Sequence, residues 1–215
     1  MRRRVASART SPRAPKRARR SHAERTAETR AKILAAVVEC IDAVGFQRTT
    51  AVEITRRAGV TWGAVQHHFG DKDGILLAVL DDSFARFAAR LADVDVEGLS
   101  LERRVERFVE RAAEHFASRE YASTFEILLD HLRRDGARPE TSWQLAMSRA
   151  WDREWRRFFA DARIARRRHA VLQRYTIAVL SGLASTRLLE GPSARIRADE
   201  LALLRDTLVR ELRGR

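Results

Sequence analysis

From about residue 21 onward, apolar residues recur at intervals of three and four, and no run alternates with the two-residue period of a strand. This periodicity restricts the chain to packed helices. Ser21 and Glu24 have the spacing of a capping box, and Ile33, Val37, Ile41 and Val44 follow on one face until Gly45 ends the first helix. Thr50 and Glu53 repeat the spacing ahead of a second helix of about two turns, with Val52, Ile54 and Ala58 expected to face inward. Gly59 supplies the permissive backbone of a tight turn and Val60 plugs that turn into the core. Thr61 caps a third short helix running from Trp62 to about His68. Two short helices joined at a glycine make a helix-turn-helix.

Asp71 is the expected N-cap of a longer helix over 71–92, whose stripe of Ile75, Leu76, Val79, Leu80, Phe84, Phe87 and Leu91 outlasts the small N-terminal unit. Such a helix packs on something C-terminal and links two parts of the molecule. Further helical patterns cover roughly 100–118, 120–134, 140–163, 166–190 and 197–213, with breaks at Gly98, at Gly136 with Pro139 and at Gly191 with Pro192. The expected architecture is all-α: a three-helix helix-turn-helix domain over 23–70, the linking helix, and a second helical domain over 93–215.

Charge is distributed unevenly. Residues 1–20 hold nine Arg or Lys and no acid, so this arm supplies +9 of a formal +13, while residues 21–70 are nearly balanced, with six basic and five acidic residues. Like charges, Pro12 and Pro15 predict an arm, over 1–22, that is disordered alone; it reads as a solubilising tail, a transit-peptide-like tract or a phosphate-seeking arm. Elsewhere, 45% hydrophobic and 33% charged residues describe a globular chain, and no apolar run of about 20 residues offers a membrane span. The lone Cys40 cannot pair within the chain, which fits a reducing, cytoplasmic location.

The stretch RAKILAAVVECIDAVGFQRTTAVEITRRAGVTWGAVQHHFGDKDGILLAVL resembles the DNA-binding domain of the tetracycline-repressor (TetR) family. The resemblance covers about residues 24–80. It rests on Gly45-Phe46, Thr49-Thr50, Ala58-Gly59-Val60, Gly63, His68-Phe69 and Lys72 followed by an apolar residue. It implies a dimeric regulator, most often a ligand-released repressor, that binds a palindromic operator in double-stranded DNA and has a C-terminal region that varies with the effector. In one place the sequence departs from the family, which has leucine and tyrosine where this chain has Val65 and Gln66.

Under this reading the third helix enters the major groove. Thr61, Trp62, Ala64 and Gln66 are then candidate base readers and Gly63 permits close backbone approach. His67, Lys72 and Thr50 are candidate phosphate contacts, and Trp62 alternatively shields the turn. Val65 and Phe69 are expected to face the core. The paired His67 and His68 point about 100° apart on a helix and make a poor metal site. Neither a metal nor a cofactor is expected.

Trp143, Met147, Trp151 and Trp155 stand four apart, a drifting face of three indoles and a thioether. With Tyr121, Phe125, Leu128 and His131 opposite, it reads either as plain core or as the wall of a pocket for a small apolar or aromatic effector. The last two helices carry more apolar residues than a one-sided helix needs. Small residues at Ser181, Gly182, Ala184 and Ser185 fit a two-fold four-helix homodimer interface. Two rival functions remain: a protein that coats DNA nonspecifically through its arm, and a small helical enzyme using His131 with Asp130 or Glu126. The chain offers no nucleophile elbow, and no enzymatic activity is expected.

Overall fold

The computed structural model describes residues 21–135, 142–191 and 195–214. Nine α-helices and no strand are found among the described residues: α1 (His22–Val44), α2 (Ala51–Ala58), α3 (Trp62–Phe69), α4 (Lys72–Ala92), α5 (Leu101–Phe116), α6 (Arg119–Asp135), α7 (Ser142–Phe159), α8 (Arg166–Glu190) and α9 (Ala198–Leu212). The Ser21–Glu24 capping box forms in full at the start of α1. At the start of α2 only half of the expected box forms. Thr50 Oγ1 accepts from the Glu53 amide, but the Glu53 carboxylate turns to Arg56 and Arg57. Between α1 and α2 a 3-10 turn at Phe46–Arg48 buries Phe46.

The apolar side chains form two cores. The first joins α1, α2, α3 and the start of α4, with Ile33, Val37, Ile41, Ile54, Val65 and Ile75 fully buried. Val52 corrects the expected inward set of α2: it is 76% exposed. Ile54 and Ala58 share a face at a spacing of four, whereas Val52 stands about 200° around the helix from Ile54. The second core is built from α4, α5, α7, α8 and α9 around Phe87, Phe108, Trp155, Phe158 and Leu180.

Helix α4 belongs to both cores, since Ile75 to Leu80 pack in the first and Phe87 and Leu91 in the second. Its C-terminus is held by Arg157 of α7, which donates to the carbonyls of Leu91 and Val94 and pairs with the buried Glu154. A second bridge comes from α6. Ile127 is buried in the N-terminal core, Glu126 Oε2 accepts from the Phe46 amide at 2.9 Å, and Gln47 Nε2 donates to Asp130 at 3.1 Å.

Candidate nucleic-acid interface and ligand cavity

Short-range hydrogen bonds fix the pose of α3. Gly59 adopts φ 65°, ψ 36°, the left-handed conformation the turn between α2 and α3 requires. Thr61 Oγ1 accepts from the Ala64 amide at 3.2 Å, a cap that contributes about 1 kcal/mol, and Asp71 Oδ1 accepts from the Gly74 amide at 2.8 Å to start α4. Val65 is fully buried and Phe69 half-buried against the first core, so these two residues anchor the helix. The Arg30 guanidinium lies 4.6 Å over the Phe69 ring and ties α1 to the end of α3.

The opposite face of α3 is open. Thr61, Gly63, Gln66 and His67 are exposed, and so is Thr50 at the start of α2. Ala64 is half-buried; Trp62 is half-buried and packs on the core. The His67 and His68 rings sit edge to face with centroids 5.4 Å apart, and no group of three potential metal ligands exists among the described residues. Glu53 offsets the two arginines of α2, and their hydrogen bonds hold its carboxyl down at about 2.

Behind this domain, α4 to α8 surround a cavity of about 360 Å³. Tyr121, Phe125 and Leu128 of α6 line one wall, and Met147 and Trp151 of α7 line another. Trp155 lies elsewhere, in the second core, where its indole donates to His169 Nδ1 at 3.2 Å. A spacing of four advances 40° beyond each full turn, so two steps from Met147 rotate Trp155 away from the cavity. The side chains of Lys72, His131 and Trp143, and all of residues 1–20, lie outside the described residues.

Residues that the sequence did not assign to a pocket complete the lining. Ser83, Phe84 and Phe87 come from α4, His115 and Phe116 from α5, and Ile177 and Ser181 from α8. His115 stands on the apolar face of α5 among Ala112 and Phe116, a polar residue in a buried stripe that the periodicity could have flagged. Burial, assisted by the field of Arg90, pushes its ring down to about 4, so it is neutral near pH 7. Glu126 and Asp130, the carboxylates of the enzyme alternative, are engaged with Phe46 and Gln47 and tie α6 to the turn between α1 and α2.

Comparison with known proteins gives these elements a relationship. A family model described as bacterial regulatory proteins, tetR family, matches residues 33–79. The HTH-type transcriptional regulator BetI of Burkholderia mallei is 40% identical over 67 residues, covering 29% of this chain and 34% of that protein. BetI of Burkholderia thailandensis is 41% identical over 51 residues, covering 24% of this chain and 26% of the relative. The chain thus aligns with about a third or less of the length of these curated relatives. Two solved structures share the whole fold at low identity. GusR of Salmonella enterica matches with a TM-score of 0.63 at 21% identity, covering 86% of this chain and 95% of that one. The TetR-family transcriptional regulator PfmR of Thermus thermophilus matches with a TM-score of 0.61 at 18% identity, covering 83% and 97%. The family match runs from the middle of α1 through the capped turn and α3 into α4, and it is over these residues that the chain is similar to the tetR family of bacterial regulatory proteins.

Proposed function

We propose that the protein is a sequence-specific DNA-binding regulator of transcription, acting as a homodimer whose hold on a palindromic operator is released by a small, largely apolar ligand. The observation that carries this reading is the continuity of α4: one end positions α3 and the middle lines the cavity. A ligand that fits the cavity better in one position of α4 than in another shifts the spacing of paired α3 helices through its differential affinity. The α6 bridge through Glu126, Ile127 and Asp130 offers a parallel path from Tyr121 and Phe125 to the first core.

Dimerisation is supported by the apolar surface of the last two helices. Val171, Tyr175, Leu188 and Leu189 on α8 and Leu203 on α9 are exposed in the single chain, Leu189 by 89%. Among the described residues no helix is long and apolar enough to cross a membrane, so this surface is not explained as a spanning segment. A second copy also supplies the second α3 that a two-fold operator needs.

Selection of bound sequences from random DNA with the purified protein tests the reading directly. A palindromic consensus is expected, and recovery of unrelated sequences would sink it. Within that site, Gln66→Ala is expected to relax preference at one base-pair position, losing about 1–3 kcal/mol of discrimination. His67→Ala is expected to weaken binding to all sequences alike.

A further inference from the structure

The polar groups of the cavity can be sorted by whether the protein already satisfies them. The Tyr121 hydroxyl bonds with Ser181, and Thr124 Oγ1 donates to the Glu120 carbonyl at 2.6 Å. Asp81 and Arg174, of opposite sign, occupy exposed positions at the mouth. Ser148 is exposed and Gln173 half-buried on the lining, which leaves two buried groups. Ser83 is 5% exposed, and its hydroxyl is buried with no hydrogen-bond partner. His115 is 9% exposed; its ring centroid stands 4.8 Å from that of Phe87, one helical turn beyond Ser83 on the same face of α4.

A buried hydroxyl without a partner is unfavourable, and a ligand atom that meets it recovers that cost. The neutral imidazole of His115 offers one donor and one acceptor nitrogen. Arg90, whose field helps keep that ring neutral, is not part of the lining. An ionised carboxylate entering the cavity sheds its hydration without meeting a buried cation, whereas a neutral oxygen loses little. Aromatic surface is supplied by Phe87 and Trp151, with centroids 4.6 Å apart and planes tilted by 40°, and by Phe116 and Tyr121, also 4.6 Å apart and tilted by 53°.

We propose that the cavity selects uncharged ligands: a flat apolar body lies against Phe87 and Trp151, and one carbonyl or hydroxyl oxygen is read by Ser83 beside His115. This rests on the assignment of the cavity as the effector site and adds a rule about charge and polarity. Ser83 is the positioning group for that oxygen and the aromatic walls supply most of the affinity.

Three probes of nearly equal shape separate the terms in calorimetric titrations of the full chain: 2-acetylnaphthalene, 2-methylnaphthalene and 2-naphthoate. The ketone is expected to bind at least about tenfold more tightly than the hydrocarbon or the carboxylate, the scale of one recovered hydrogen bond. Ser83→Ala should remove most of the ketone's advantage and leave the hydrocarbon unchanged. It should also raise the melting temperature of the free protein, because the orphaned hydroxyl is gone. If the carboxylate binds most tightly, the charge rule is overturned. Equal binding of ketone and hydrocarbon, or undiminished ketone binding by the variant, overturns the Ser83 assignment and leaves the cavity as an effector site. Binding of none of the three overturns the inference together with the cavity reading.

Discussion

Gly74→Ala is expected to destabilise the protein by about 3 kcal/mol or more and to abolish operator binding, although Gly74 touches no DNA in the proposed complex. The cause lies in the corner between α3 and α4. A Cβ at Gly74 would stand 2.0 Å from the Phe69 carbonyl oxygen and 3.1 Å from its carbon, both backbone atoms that cannot rotate away. That oxygen already accepts from the Asp71 amide at 3.0 Å, and the Gly74 amide is held by Asp71 Oδ1. Making room means lifting Phe69 from the first core and from beneath Arg30, which tilts α3 as a unit. Overpacking a core commonly costs about 1–3 kcal/mol. A clash of more than an ångström against backbone belongs at or above the top of that range.

Gly63→Ala provides the contrast, because the nearest atom to its added Cβ is Thr61 Oγ1 at 3.9 Å, an ordinary contact on the exposed face. Alanine within a helix is favoured over glycine by up to about 1 kcal/mol, so this variant should be slightly more stable yet bind operator less well where DNA abuts the backbone. Urea midpoints together with fluorescence anisotropy on the selected operator check both variants. A Gly74→Ala protein with the wild-type midpoint would refute the packing account of this corner.

The difference between these two glycines marks the reach of local sequence pattern. Caps and turns depend on residues within four positions, which is why Ser21, Thr61 and Asp71 and the left-handed Gly59 are legible in the amino-acid sequence. The length of the α4 stripe foretells a helix shared by two cores for the same reason: periodicity is local. The constraint on Gly74 comes instead from the backbone packing of α3 against α4, and nothing in the letters distinguishes it from Gly63.

Similar limits apply to the cavity. Tyr121, Phe125, Leu128, Met147 and Trp151 do meet around one space, while Trp155, on the same nominal face, turns into the second core. The pattern defines a face only within about two turns, and which part of a drifting stripe meets a void depends on the angle at which α7 crosses α4 and α5. Ser83 is a small polar residue between apolar neighbours, and only the burial of its hydroxyl without a partner gives it meaning. Glu126 and Asp130 are readable as a loose acid pair near His131; the contacts that engage them lie some eighty residues away at Phe46 and Gln47.

Acidification from pH 7 to pH 5 is expected to cost about 2 kcal/mol of folding stability through His115 alone. Burial lowers its folded-state value from 6.5 to about 4, with Arg90 acting in the same direction and Glu120 against it. Above pH 6.5 the ring is neutral in both folded and unfolded chains and contributes no pH dependence. Between 6.5 and about 4 the unfolded chain takes up a proton that the folded ring refuses, so stability falls by about 1.4 kcal/mol per unit and levels off near pH 4. Glu53 works in a different window. Its folded value near 2 lies below the ordinary 4.5, so its contribution is present above 4.5 and is lost as the pH falls toward 2. Urea denaturation at pH 7 and pH 5 of wild type and His115→Phe isolates the histidine, because other titrations cancel in the difference between the two proteins. Phenylalanine suits a site where Phe87, Phe116 and Tyr121 already surround the ring. The variant should lose about 2 kcal/mol less on acidification than wild type. Equal acid sensitivity in the two proteins would show that the ring takes up protons in the folded state, and below pH 6.5 the cavity would then hold a cation able to meet the carboxylate that the neutral-ligand rule excludes.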